Sequence, residues 1–280
     1  MAWYKIRRVL LVVAKYVTLL LMAFISLLPL VSCVITAVKS KAEYQTTNVM
    51  SLPKVLSLGN FVETWNLANM GLAFRNSVIV LVFVLICSIF FGASLAYVLN
   101  RFVFRGRGVI KNLFLFAALL PGIAMQVSVY QIMFSLGLIN SIAGYVILMT
   151  GTDIISVTIF IQFFSNIPKE LDESGIMDGC SYFGVFFKIL LPLLQPAMVT
   201  VMILKGVSTY NEYYMANLYL QDKMRYIVVS TSLYTFTGPL GNQYNYICAG
   251  VIITMIPALI IFILCQKQIY GGLAAGAVKG

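Results

Sequence analysis

The stretch ESGIMDG occupies residues 173–179 and is followed, ten residues later, by ILLP at residues 189–192. It lies in a polar segment between two apolar runs of membrane-spanning length. Acidic residues crowd the turn after Pro168, where the helix dipole favours negative charge, and Gly179 is suited to end that helix in a left-handed conformation. The stretch therefore predicts two short helices outside the membrane, joined at Gly179.

The rest of the chain is dominated by apolar residues. Of its 280 residues, 61% are hydrophobic and 10% are charged, whereas about a quarter of a soluble domain is charged. Six apolar runs reach the ~20 residues needed to cross a hydrocarbon core of ~30 Å: 16–38, 77–99, 113–136, 141–164, 195–216 and 246–266. They lack the two-residue alternation of a transmembrane barrel. The predicted fold is all-α: a single membrane domain over residues 1–280, with six transmembrane helices and a cytoplasmic two-helix loop.

The net charge of +10 is concentrated near the ends of the predicted spans. Basic residues precede the first span, fill the connection between the second and third spans, and follow the last: Lys5, Arg7, Arg8, Lys15, Arg101, Arg105, Arg107, Lys111, Lys267 and Lys279. Basic residues near span ends mark the cytoplasmic side of a membrane. The chain is therefore predicted to be a multi-pass protein with both termini in the cytoplasm, in contact with membrane lipid and not with nucleic acid.

Several residues predict where the spans start and break. The first apolar run exceeds the ~7–15 residues of a signal-peptide core, so it is predicted to be a retained span. Pro121 and Gly122 interrupt the third run, the polar residues at 150–153 allow a break in the fourth, and Pro192 predicts the passage from the loop to the fifth span. The five cysteines lack paired or metal-type spacing, so neither a disulfide nor a metal site is predicted.

The second loop helix carries an apolar stripe. Phe183, Phe186, Phe187 and Leu190 stand at helical spacing on one face. An exposed stripe of this kind indicates a surface that binds a partner. A buried stripe would instead pack beneath the chain's own spans, and periodicity alone leaves both interpretations open.

The spacing from Glu173 to Pro192 resembles the coupling loop, or EAA loop, of the permease subunits of binding-protein-dependent ABC importers. Ser174 and Gly175 stand where that family has alanines; both are small and would let another surface approach the first helix closely. Four further stretches resemble the maltose-type second permease of the carbohydrate branch: NFVETWNLANMGLAFRN at 60–76, YNEY at 210–213, residues 218–226, and GLAAGAVKG at 272–280. The likeness covers nearly the whole chain from about residue 60.

The resemblance implies two regions that contact ATPase subunits. In the coupling loop, at about 166–192, the contact residues are Glu173, Ser174, Gly175, Asp178, Gly179, Phe183, Phe186, Phe187, Ile189, Leu191 and Pro192. In the C-terminal tail, at about 267–280, they are Gly276, Val278, Lys279 and Gly280. The small residues of the tail would fit between partner chains.

The resemblance also implies the partners and the mechanism. The partners are a second, homologous permease subunit, two ATP-binding subunits, an extracytoplasmic solute-binding protein and the sugar, and the location is the bacterial plasma membrane. The chain has no GxxxxGK[ST] phosphate-binding loop, so we expect it to be non-catalytic and without a cofactor, with ATP and Mg used by the partner ATPases. Transport is expected to proceed by alternating access and to carry a di- or oligosaccharide into the cytoplasm.

The residues expected to meet the sugar are polar or aromatic groups in or near the spans: Tyr130, Gln131, Asp153, Tyr210, Asn211, Glu212 and Tyr213. Sugars bind by stacking on aromatic rings and by hydrogen bonds to carboxylates and amides, so this set is chemically suitable. The alternative for the tyrosines is an aromatic belt at the membrane interface. Asp153 and Lys205 are costly against lipid, so each should face a polar interior, where a structural pairing or a substrate contact would satisfy it.

Two other functions compete with the importer. A secondary transporter coupled to an ion gradient usually carries acids or histidines in its spans, but this chain has no histidine, and Asp153 and Glu212 are its only clear acidic span residues. A membrane enzyme would need a metal cluster or a nucleophile with its base, and the sequence shows neither. The ATP-driven importer is therefore the predicted function, and the ion-coupled transporter is the alternative.

Overall fold

The structure, a computed structural model, describes residues 2–120, 122–151, 153–238 and 241–277, and that part of the chain is helical, with no β-strand. In chain order the helices are α1 (Ala2–Ala37), α2 (Lys41–Thr46), α3 (Gly59–Leu67), α4 (Met70–Arg101), α5 (Arg107–Leu119), α6 (Gly122–Ser135), α7 (Ile142–Gly151), α8 (Ile154–Asn166), α9 (Glu170–Met177), α10 (Tyr182–Gly184), α11 (Leu191–Leu193), α12 (Gln195–Asn211), α13 (Tyr214–Tyr219), α14 (Lys223–Tyr226), α15 (Val229–Ser232) and α16 (Tyr244–Ala277). A π-helical turn (Val185–Leu190) joins α10 to α11, and a 3-10 turn (Leu233–Phe236) follows α15.

Six candidate membrane spans lie within the described residues. Three are single long apolar helices: Ile6–Ala37 within α1, Met70–Arg101, which is α4, and Tyr244–Gln266 within α16. The other three are pairs of helices bent by more than 40° at a short break: α5 with α6, α7 with α8, and Tyr182–Leu193 with α12. The prediction of an all-α fold is confirmed, and the count of six spans agrees with the structure if each bent pair is one span.

The breaks fall where the sequence predicted them. In the third span, α5 ends at Leu119 and α6 begins at Gly122, and Pro121 between them lies outside the described residues. The fourth is interrupted just before α8, where the Asp153 carboxylate accepts the backbone N–H of Ser156 (3.3 Å) as a helix cap. At the entrance of the fifth span, the helical segment Tyr182–Leu193 of the predicted loop meets α12 at a bend of 71°, two residues after Pro192.

The fifth span ends earlier than its apolar run suggests. That run extends to residue 216, yet α12 ends at Asn211. Glu212 has an extended backbone (ψ 99°), and its carboxylate accepts the N–H of Met215 (3.0 Å) in the first turn of α13. Hydrophobicity alone does not fix a helix end, and here a polar side chain turns the backbone before the apolar run is finished.

The described residues form two compact units. One comprises residues 2–70 and 233–259, and the other comprises residues 71–232 and 260–277. In the first unit, buried Asn60 donates hydrogen bonds of 2.7 Å to the carbonyls of Ala37 and Lys39 and accepts one of 3.0 Å from Asn245. These bonds satisfy carbonyls left open at the end of α1. A single domain over residues 1–280 stays a prediction.

The second unit contains the loop between the fourth and fifth spans. A buried cluster joins α4, α8, this loop and α12, and it consists of Ala93, Ala96, Tyr97, Phe160, Phe164, Val185, Phe186, Leu190, Leu194, Ala197 and Val201. A separate cluster further along the unit includes Val80, Val84, Tyr145, Leu148, Tyr219 and Leu220. Because side chains of the loop belong to the first cluster, the loop packs against α4, α8 and α12.

Candidate functional site

A Schellman motif closes α9, the first helix of the predicted coupling loop. The N–H of Cys180 donates to the carbonyl of Gly175 (3.0 Å), and the N–H of Gly179 donates to the carbonyl of Ile176 (2.9 Å). Gly179 has a φ of +83°, which is the left-handed conformation that this motif requires. The prediction that Gly179 ends the helix is confirmed.

The second half of the loop is a helix that widens before it reaches the membrane span. The Ser181 hydroxyl caps it by accepting the N–H of Gly184 (3.2 Å). The π-helical turn then ends with a bond from the N–H of Leu191 to the carbonyl of Phe186. Pro192 comes next and has no N–H to offer to the carbonyl four residues earlier, so the wider turn accompanies the loss of that α-helical bond.

Gly175 lies between the two halves of the loop. A Cβ atom at this position would stand 2.6 Å from Cδ1 of Ile189 and 3.1 Å from Cγ2 of Val185. The space that its small size was expected to leave for another surface is therefore filled by the chain's own second helix. Ser174, by contrast, is exposed, and Ile189 and Leu191 are half-buried.

The aromatic stripe divides between the interior and the surface. Phe186 and Leu190 are buried, and the Phe186 ring lies 5.1 Å from the ring of Tyr97 on α4. Phe183 and Phe187 are 77% and 46% exposed. Packing beneath the spans thus describes half of the stripe, and the other half is available to a partner.

Eight exposed residues of the loop are considered together below and are named the outer loop surface: Glu173, Ser174, Met177, Asp178, Tyr182, Phe183, Phe187 and Pro192. Met177 and Tyr182 are 87% and 57% exposed and were not expected there from the sequence. Helical spacing would have identified Met177, which follows Glu173 by four residues. Tyr182 lies beyond the turn at Gly179, so its direction depends on the geometry of that turn.

A cavity of about 890 Å³ lies in the same unit, among α5, α6, α7, α8 and α12. Its lining is largely apolar, and its polar side chains are Gln126, Asp153, Ser156, Thr158, Lys205, Ser208 and Glu212. A mostly apolar cavity with a few convergent polar groups is the usual form of a small-molecule site. Of the residues expected to meet the sugar, Asp153 and Glu212 border it.

Asp153 and Lys205 satisfy each other at the edge of this cavity. The Lys205 Nζ atom is 3.7 Å from Oδ2 of Asp153, and the two side chains are 12% and 7% exposed. Lys205 also donates to the carbonyl of Met149 at the end of α7 (2.7 Å), and Asp153 accepts from the hydroxyl of Ser156 (2.7 Å). The structural pairing considered from the sequence is thus present, and it holds α12 to both halves of the broken fourth span.

Tyr130 and Gln131 on α6 are not among the residues that line the cavity. The Tyr130 hydroxyl accepts a hydrogen bond from Gln221 (3.0 Å), and its ring lies 5.6 Å from that of Tyr219. Tyr219 donates in turn to Gln126 (3.3 Å), which borders the cavity. Gln131 is exposed. Tyr130 is therefore linked to the cavity through Tyr219 and Gln126.

Residues 210–213 do not converge on the cavity as a group. Tyr210 packs beside a buried cluster that includes Ala73 and Ile227. The exposed amide of Asn211 donates to a carbonyl of its own helix, and Tyr213 is half-buried. Glu212 alone among the four borders the cavity.

The predicted tail contacts lie at the limit of the described chain. Gly276 belongs to the last turn of α16, and Val278, Lys279 and Gly280 lie outside the described residues. Within the described part of the chain, no group of three or more His, Cys, Asp or Glu side chains is placed to hold a metal ion.

Comparisons with known proteins identify relatives over nearly the full length. A family profile described as "Binding-protein-dependent transport system inner membrane component" matches residues 88–273. The arabinooligosaccharides transport system permease protein AraQ of Halalkalibacterium halodurans is 30% identical, covering 92% of this chain and 93% of its own length. The melibiose/raffinose/stachyose import permease protein MelC of Bacillus subtilis is 29% identical, with 95% and 97% covered.

A solved structure shares the fold. It is the crystal structure of a bacterial ABC transporter involved in the import of the acidic polysaccharide alginate, and it covers 91% of this chain and 95% of its own chain. The TM-score is 0.79 at 20% sequence identity. The matched segment contains the whole coupling loop and both carboxylates of the cavity. The chain therefore belongs to the family of binding-protein-dependent transport system inner membrane components, as the spacing from Glu173 to Pro192 predicted.

Proposed function

We propose that this chain is the membrane permease subunit of an ATP-driven importer that carries a carbohydrate, a di- or oligosaccharide, into the bacterial cytoplasm. The observation that carries the proposal is the family match over residues 88–273, which includes the coupling loop. Two relatives that match over nearly the whole chain are named for arabinooligosaccharides and for melibiose, raffinose and stachyose, and these names support a di- or oligosaccharide as the substrate. The comparisons give no support to an ion-coupled transporter.

The outer loop surface is the proposed docking site for a cytoplasmic ATP-binding subunit. It combines exposed aromatic side chains, Phe183 and Phe187, with the carboxylates of Glu173 and Asp178. Aromatic anchors with a polar rim are typical of protein interfaces. A second, homologous permease subunit would dock a second ATPase in the same way, and an extracytoplasmic solute-binding protein would deliver the sugar.

The permease itself is proposed to be non-catalytic. Its sequence has no phosphate-binding loop, so ATP and Mg are assigned to the two ATP-binding subunits and no cofactor is assigned to this chain. Closure of those subunits would displace the loop as a rigid body. The packing of Gly175 against Val185 and Ile189 supports this, because tightly packed helices transmit displacement.

The sugar path is proposed to pass the cavity bordered by Asp153 and Glu212. Their carboxylates are suited to accept hydrogen bonds from sugar hydroxyls. Both termini are assigned to the cytoplasm, since basic residues cluster beside the first and last spans, and the loop between the fourth and fifth of six spans then lies on the same side. Alternating access would then expose this cavity to one side of the membrane at a time.

The proposal is tested by transport in proteoliposomes that contain the complete importer: this chain, its companion permease, the ATP-binding subunits and the solute-binding protein. Radiolabelled raffinose and arabinotriose serve as probe sugars. We expect one of them to accumulate only with ATP inside and to be unaffected by ionophores that collapse ion gradients. Glu173→Lys should abolish that uptake while the spans still insert. Uptake that is driven by an ion gradient and needs no ATPase subunit would contradict the proposal and would show that the chain is a secondary transporter.

A further inference from the structure

Arg101, the last residue of α4, lies where the second span meets the coupling loop. Its Nε atom is 2.7 Å from Oδ2 of Asp172 on α9, and the two side chains are 6% and 14% exposed. Its Nη2 atom donates to the carbonyl of Ile167, between α8 and α9 (2.9 Å). One guanidinium group therefore joins α4 to the end of α8 and to the first turn of α9.

The pair is shielded from water and differs from an ordinary surface ion pair. The guanidinium carbon of Arg101 lies 5.9 Å from the centre of the Phe164 ring. Burial raises the pKa of the Asp172 carboxyl, and the neighbouring Arg101 guanidinium opposes that rise. Removal of one partner would leave the other charge shielded and uncompensated, which disturbs a structure more than loss of an exposed pair.

The end of α4 is also held by contacts that do not involve this pair. Arg107 donates to the carbonyls of Leu99 (2.9 Å) and Asn100 (3.2 Å), which would otherwise be open at the helix end. The Tyr97 ring packs against Phe186 of the second loop helix. The helix end is thus defined locally by Arg107, whereas its attachment to α9 depends on the ion pair.

We propose that Arg101 is a positioning residue that makes α4 and the coupling loop move as one body during transport. The inference rests on the proposed function, because it concerns how a displacement of the loop reaches the spans. α8 and α12 continue directly into the loop, but α4 has no direct chain connection to it. A movement of the loop therefore reaches α4 only through side-chain contacts, and the Arg101–Asp172 pair is the charged one among them.

A distance measurement tests whether the two elements move together. Spin labels are placed at Val103, which is 89% exposed, and at Lys169, which is exposed at the start of α9, after the five cysteines have been replaced by alanine. Distances are recorded on the complete importer without nucleotide and with ATP and vanadate. In the unsubstituted chain, we expect one narrow distance between the labels that is the same with and without nucleotide. In Arg101→Gln, we expect the distance with ATP and vanadate to broaden or to split into two.

The matched control is Arg105→Gln, which removes a positive charge from an exposed residue four positions further on. It should keep the narrow distance. A distance that changes between the two states in the unsubstituted chain would overturn the proposal. So would an Arg101→Gln importer with the same single distance as the unsubstituted chain.

Transport provides the second readout, as the amount of sugar taken up per ATP hydrolysed, with whichever probe sugar the unsubstituted importer accumulates. We expect Arg101→Gln and Asp172→Asn to lower this ratio by about tenfold or more while ATP hydrolysis persists. Arg101→Lys should retain part of it, since a single ammonium keeps the charge but not the forked geometry.

An unchanged ratio in both neutral variants would refute the positioning role. Failure of all three variants to assemble with the ATP-binding subunits would make the pair a folding element and would refute it too. If the unsubstituted importer accumulates neither probe sugar with ATP, the proposed function fails, and the distance measurement still decides the role of Arg101.

Discussion

Gly179 closes α9 with a φ of +83°, a conformation that costs a residue with a side chain about 1–2 kcal/mol. We expect Gly179→Ala to destabilise the loop by that amount and to lower ATP-driven uptake, because the outer loop surface loses its fixed shape. Gly184→Ala is the matched control, since Gly184 has a helical φ of −61° and room for a Cβ atom. Thermal unfolding of the purified importer and uptake report both effects. Equal losses in the two variants would contradict a special role for the turn.

The contacts around Gly175 limit the size of the side chain that this position can hold. Gly175→Ala should cost little, because the 2.6 Å contact is with the flexible tip of Ile189, the 3.1 Å contact needs only a small shift of Val185, and alanine gains up to ~1 kcal/mol of helix propensity. Gly175→Val should lower the stability of the importer by about 1–3 kcal/mol, since its extra methyl groups overlap Val185 and Ile189. Thermal midpoints measure the difference. A Gly175→Val chain that gains stability when Ile189→Ala is added would identify the contact, and equal midpoints for alanine and valine would exclude it.

Gly179 and Gly175 differ in how far their roles can be predicted from the sequence. The role of Gly179 was predictable because it is local: a helix signal precedes it, and glycine tolerates the left-handed region. The contact of Gly175 was not, because it depends on where the chain returns after the turn. The same holds for the pair of Arg101 and Asp172, which are 71 positions apart in the sequence (172 − 101) and meet only in the folded loop.

At the scale of elements, the pair of Asp153 and Lys205 fastens α12 to the broken fourth span. Lys205→Met alone should lower stability by about 3–5 kcal/mol, because it leaves the Asp153 carboxylate shielded without a partner. The double variant with Asp153→Asn should recover much of that loss. The yield of assembled importer and its thermal midpoint are the measurements.

The double variant also separates the two roles considered for Asp153. An assembled double variant that no longer transports would mean that the pair contacts the sugar in addition to holding the helices. Transport by the double variant would leave the pair with a structural role alone. A Lys205→Met chain as stable as the unsubstituted one would contradict the pairing as a stabilising contact.

The existence of the membrane helices was predictable, and their ends were less so. A run of ~20 apolar residues has few alternatives in a membrane, because every backbone group must be satisfied within the segment. The end of α12 at Asn211 depends instead on Glu212, whose carboxylate binds the N–H of Met215. A hydrogen bond of this kind acts at one residue, and a hydropathy average over a whole span does not detect it.

For the whole molecule, the loop and the cavity belong to one unit and share α8 and α12. The family can be recognised from the sequence because the spacing of residues in the loop is specific. Which aromatic residues of the loop are buried and which are exposed depends on the fold. Phe186 and Phe187 are neighbours in the same stripe, yet one is buried and the other is 46% exposed. Periodicity gives the face of a helix but not the depth to which that face is covered.

The orientation of the molecule in the membrane follows from its charges and can be read with two cysteines. Leu52, which follows the first span, is 77% exposed, and Met177 in the loop is 87% exposed. In a chain without its native cysteines, we expect a membrane-impermeant maleimide to label Leu52→Cys in intact cells. Met177→Cys should be labelled only after the membrane is opened, because basic residues place that side of the spans in the cytoplasm. Labelling of Met177→Cys from outside would put the loop beyond the reach of cytoplasmic ATPases, and the importer mechanism could not operate.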